Sequence, residues 1–94
     1  MKNKYYVVLV GFQKGIYDQW EDCLHATCGA SGNVFRGLKT LDEAIDYIEG
    51  SMDDGMTLIT CIIGGKRTKY PNVRGLISHL ERIRTTDRRG EGIV

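Results

Sequence analysis

The side chains in this chain that could do chemistry are few, and their spacing excludes more than it permits. Cys23, His25 and Cys28 lie close together, with Cys61 further on, and thiolate and imidazole are the donors that hold zinc. Cys23 and Cys28 are five positions apart and no paired CxxC spacing occurs, so buried free thiols are the preferred reading and no metal is expected. Nucleophilic catalysis needs a thiol or hydroxyl beside an imidazole that a third group orients. Neither His25 nor His79 has such a partner assignable from the sequence, and the acidic residues read as helix caps and solvated faces. No cofactor and no enzymatic activity are expected.

The elements that position these residues can be read in chain order. Residues 5–10 are apolar on both alternating faces, as in a central strand. Gly11 and Gly15 bracket a turn where positive φ is available. Asp18, with Glu21 three residues later, loosely fits a capping pair, which predicts a helix over 19–27. Cys28-Gly29-Ala30-Ser31-Gly32-Asn33 holds no large side chain and reads as a loop with accessible backbone N–H groups.

A second strand is expected over 33–38, carrying Phe35. Thr40-Leu41-Asp42-Glu43 is a cleaner capping box, and Leu41, Ala44, Ile45 and Ile48 predict a helix over 41–49. Gly50-Ser51-Met52-Asp53-Asp54-Gly55 marks an internal boundary: residues 1–50 form one unit and 51–86 a strand and helix extending the same fold. The β-branched run 56–63 predicts a third strand. Lys66, Arg67 and Lys69 fall in a basic turn after two glycines. Val73, Leu76, Ile77, Leu80 and Ile83 predict an amphipathic helix over 72–84, packed on the third strand. Residues 87–94 are expected to be a mobile tail. No internal repeat is present.

At 94 residues the chain suits one modest core. No run reaches the roughly 20 apolar residues that span a bilayer, so no membrane is expected as a partner. Three cysteines cannot form a complete disulfide framework, which favours a reducing, cytoplasmic setting. Net charge is +1, with five bases against six acids in residues 1–48 and eight against six in 49–94. Polyanion binding would thus need a local patch or help from the second half.

Several spaced segments resemble the small domain at the N-terminus of eukaryotic-type ribonuclease H, also found in caulimovirus viroplasmin. They are Tyr5-Tyr6-Val7-Val8, Gly11 with Gly15-Ile16-Tyr17, Trp20-Glu21-Asp22-Cys23, Val34-Phe35-Arg36 and Lys39-Thr40-Leu41-Asp42-Glu43-Ala44, in family order over a little under half of the chain. The resemblance implies an α+β fold, a small antiparallel three-stranded sheet packed with two helices. It implies binding of RNA/DNA hybrid or double-stranded RNA by shape and backbone contacts, with little base reading. Tyr6, Trp20 and Phe35 would lie against a sugar–phosphate backbone, with Arg36 at a phosphate and Lys39 on the same surface. The loop residues Gly29, Ala30, Ser31 and Gly32 would enter the minor groove and meet RNA 2′-hydroxyls.

Two departures matter. Gly37 stands where the family often has a second basic residue, which would cost about one unit of salt slope if that residue touched a phosphate. The loop also lacks the Phe and Pro of the family's Gly-Phe-Pro-Gly run. Lys66, Arg67 and Lys69 could make up part of the loss, although a basic turn is more often only solvated. The four-carboxylate pattern of the catalytic ribonuclease domain is not recognisable after Gly50. On residue type alone Trp20 reads as core, and only the resemblance makes it a surface platform. A second reading keeps the fold and makes it a protein-interaction or self-association module.

Overall fold

The computed structural model describes residues 4–29, 31–53, 55–56 and 58–92. Their order is β1 (Tyr5–Val10), β2 (Gly15–Tyr17), α1 (Trp20–Thr27), β3 (Val34–Leu38), α2 (Leu41–Ser51), β4 (Ile59–Ile63), β5 (Lys66–Tyr70) and α3 (Val73–Gly92). The strands form a five-stranded sheet in the order β3-β1-β2-β4-β5. β1 is apolar on both faces because both are covered. Val7 joins Ile16, Leu38, Ile48 and Leu76 in a core beneath α2 and α3, while Val8 joins Tyr17, Cys23 and Ala26 beneath α1.

α2 and α3 start where their capping residues dictate. The Thr40 hydroxyl accepts from the Glu43 N–H at 3.1 Å, and the Glu43 carboxylate accepts from the Lys39 N–H at 3.1 Å, a capping box displaced by one residue. Asn72 Oδ1 accepts from the Gly75 N–H at 2.8 Å and starts α3. Asp18 does not cap α1: Gln19 holds the N-cap position without a side-chain bond, and Asp18 Oδ2 instead accepts from the Gly64 N–H at 2.8 Å. That bond ties the start of α1 to the far turn of the chain.

The α+β class holds, but the sheet is larger than the three antiparallel strands expected, and it is mixed. β2 pairs antiparallel with β1 and parallel with β4, Ile16 lying opposite both Val7 and Cys61. Gly15 makes this possible by close approach, since a Cβ there would fall 1.8 Å from the Thr60 carbonyl oxygen. β5 lies where a turn was expected, because charge on both of its faces hid the strand; an edge strand tolerates such charge. The turn itself is Gly64-Gly65, both at positive φ (66° and 77°), between the paired residues Ile63 and Lys66. This two-residue hairpin is what a Gly-Gly pair between strands favours. The third strand is shorter than expected, since Leu58 sits at φ 56° just before β4. α3 continues to Gly92, through most of the span read as a tail; positions 93 and 94 lie outside the described residues. Among the described residues no helix is long and apolar enough to cross a membrane.

Candidate nucleic-acid interface

Strand alternation decides which side chains share a face. Tyr6 lies opposite Gly37 and Val8 opposite Phe35, so Tyr6 and Phe35 project to the α1 side of the sheet. Trp20, the first residue of α1, stands between them. Its ring centroid is 5.4 Å from that of Tyr6 at 60° and 5.8 Å from that of Phe35 at 54°. Such tilted contacts add about 0.5–1.5 kcal/mol each beyond burial and hold the rings in place. The cluster is nonetheless wet: Trp20 is 46% and Phe35 40% exposed, and Tyr6 is half-buried. Trp20 is therefore not the core residue that its type suggests.

Leu24 follows one turn along α1 and is also exposed. Beyond it the helix ends at Cys28, whose N–H donates to the Leu24 carbonyl at 2.7 Å. The chain then turns through Gly29 and Gly32, both left-handed at φ 82° and 68°, and Asn33 Nδ2 donates back to the Thr27 carbonyl at 3.4 Å. Gly29, Ser31 and Gly32 are exposed; Ala30 lies outside the described residues. Across the eight residues of α1, the ring cluster and this loop are separated by about 12 Å at 1.5 Å per residue.

Arg36 and Lys39 do not join the rings. Arg36 follows Phe35 on a strand and so projects to the other face, where its guanidinium carbon lies 5.4 Å from the Tyr47 ring centroid. It lines a groove of about 510 Å³ with Lys39, Glu43, Asp46 and Tyr47. β3 is an edge strand, so this groove and the ring cluster are the two sides of one exposed edge.

The thiols are dispersed. Cys23 is buried under α1, Cys61 in the core on the opposite face, and Cys28 is exposed. Burial pushes the Cys61 thiol up to about 12 and raises that of Cys23, so both stay protonated at neutral pH. Among the described residues no three His, Cys, Asp or Glu side chains are grouped to hold a metal. His25 is exposed on α1, while His79 packs on Tyr70 at 5.2 Å on the opposite side of the sheet.

Residues 4–48 match the family described as the ribonuclease H1 N-terminal domain, so the resemblance named from the sequence holds for that segment. A ribonuclease H from Crithidia fasciculata is 46% identical over 48 residues, which are 51% of this chain and 10% of that protein. The chain thus spans about a tenth of the length of this curated relative. No solved structure matches. The match ends within α2, so β4, β5 and α3 lie outside it.

Proposed function

We propose that this chain is a non-catalytic module that binds RNA/DNA hybrid or double-stranded RNA. The observation that carries the reading is the cluster of Tyr6, Trp20 and Phe35, left accessible on the segment that matches the ribonuclease H1 N-terminal domain. Flat rings against a deoxyribose tolerate no added hydroxyl, whereas the amides of the 28–33 loop reward one, so the pair suits a duplex with one strand of each kind. Arg36 and Lys39, on the other side of β3, supply phosphate contacts to the same edge.

Titration of a short RNA/DNA hybrid, double-stranded RNA and DNA duplex of equal length at low salt tests this. Hybrid is expected to bind most tightly and DNA duplex most weakly; equal binding of all three, or none, would defeat the proposal. A second reading, self-association, is favoured by one feature: Val34 and Phe35 are exposed on β3, with Val10 exposed beside them on β1, and the outer backbone groups of β3 pair with no strand among the described residues. A mass that rises with protein concentration while Trp20 becomes shielded would support it.

A further inference from the structure

Phe12 is the most exposed aromatic ring among the described residues, at 65%, yet the turn that carries it is tightly fixed. Its own N–H donates to the Ala26 carbonyl at 2.7 Å. The preceding Gly11 lies against α1 so closely that a Cβ there would be 2.7 Å from the same oxygen. The following Gln13 accepts from the buried Tyr17 hydroxyl at 2.6 Å through its carbonyl, and from Arg67 Nη2 at 3.0 Å through its side chain. A largely exposed ring on a backbone fixed by these bonds is what a preorganised contact requires, since little ordering remains to be done on binding.

The neighbour of that ring is the 28–33 loop. A Cβ built on Gly29 would lie 3.9 Å from Phe12 Cε2, so the ring borders the space that a side chain at this loop position would occupy. The loop offers no side chain larger than Asn33, and its exposed glycines present backbone alone. Phe12 therefore places beside the loop the apolar surface that the loop's own residues do not provide. α1 has the Tyr6, Trp20 and Phe35 cluster at its first turn and Phe12 at its last, with exposed Leu24 between them.

We infer that Phe12 is an additional nucleic-acid contact, its ring packing on the ribose edge of the strand whose minor groove receives the 28–33 loop. This rests on the proposed hybrid binding and adds a second apolar anchor to it. The contact is apolar and releases no counterions, so it should contribute affinity without salt dependence.

The test uses the full chain with F12A and F12W, titrated with RNA/DNA hybrid across a salt series. F12A is expected to weaken hybrid binding about tenfold, within the range that aromatic contacts to nucleic acid supply, with its salt slope unchanged and its melting temperature close to that of the parent. F12W is expected to keep the parent's affinity. Undiminished binding by F12A, or a loss that F12W shares, overturns the inference while leaving the proposed function intact. A wild-type chain that binds no hybrid overturns both. If F12A instead lowers only the mass of a self-associated species, the ring serves a second copy and the inference is wrong.

Discussion

The two edges of the sheet have opposite chemistry. β3 exposes Val34 and Phe35 with the Trp20 indole beside them, whereas β5 carries Lys66, Arg67 and Lys69 among its five residues. They are roughly 19 Å apart, four strand spacings of about 4.8 Å. Both present a row of backbone groups that no further strand takes up among the described residues. Lysine-rich edges discourage another chain from adding to the sheet, so β5, with three bases on both faces, is guarded, whereas β3 carries one, Arg36, on the face away from the rings. An edge with accessible rings on one face and a base on the other suits a surface kept for a polyanionic partner, and it falls on the segment that matches the ribonuclease H1 N-terminal domain.

The join between the two halves of the sheet is where a single change does most damage. G15A would drive a Cβ into the Thr60 carbonyl, which lies 1.8 Å from the ideal position, and so separate β2 from β4. A loss on the order of 3 kcal/mol is expected, seen as a melting temperature lower by more than about 10 °C in circular dichroism. A parent-like melt would mean that the β5 side is not built onto the β3 side in this way.

W20A comes next. It removes the ring that touches both Tyr6 and Phe35, and a loss of hybrid affinity of about thirtyfold is expected. Because Trp20 is 46% exposed, the melting temperature should fall far less than in G15A. An unchanged dissociation constant would remove the functional meaning from the β3 edge.

Charge removal separates the two edges further. R36Q/K39Q is expected to lower the salt slope of hybrid binding by about two, one for each phosphate that is no longer neutralised. R67Q/K69Q on β5 is expected to shift it by less than about half a unit. Equal shifts would show general attraction to a polyanion, with no difference between the edges.

The smallest effect is one of pH, and it belongs to the β5 side. His79 packs on Tyr70 of β5, and burial, with Arg82 and Lys66 adding to it, holds its pKa below the ordinary 6.5. Folding therefore favours the neutral ring. The stability it contributes is complete above 6.5 and is lost as pH falls through the lowered folded value. H79Q should flatten the decline in melting temperature between about pH 7 and 5 by a small margin and leave hybrid affinity at pH 7 untouched. A steeper decline in H79Q would contradict the sign.

Much of this fold is legible in the sequence where burial imposes a period. β1 reads as a strand covered on both faces, and α2 as a capped amphipathic helix, because Val7, Val8, Leu41, Ala44 and Ile45 must all be hidden. β2 is only three residues long and offers no period to detect. β5 is disguised by charge, although the Gly64-Gly65 pair between Ile63 and Lys66 is a hairpin signal that could have revealed it. The parallel pairing of β2 with β4 is a tertiary choice permitted by the missing side chain of Gly15, and no local pattern encodes it.

At the site, Tyr6, Trp20 and Phe35 could be grouped by resemblance, but neither their exposure nor their contacts followed from residue type. The separation of Arg36 from Phe35 was available from the outset, since neighbours on a strand face opposite ways. Nothing local marks Phe12, because a lone aromatic in a turn has no period, and only the folded chain sets it beside Gly29.

The central claim is that the β3 edge, with its accessible indole, is where an RNA-containing duplex docks. Trp20 is the chain's one tryptophan, so its fluorescence reports that edge alone. On titration at low salt, saturable quenching by RNA/DNA hybrid is expected at concentrations where DNA duplex of equal length gives little. No change with hybrid, or the same change with both duplexes, would contradict the claim.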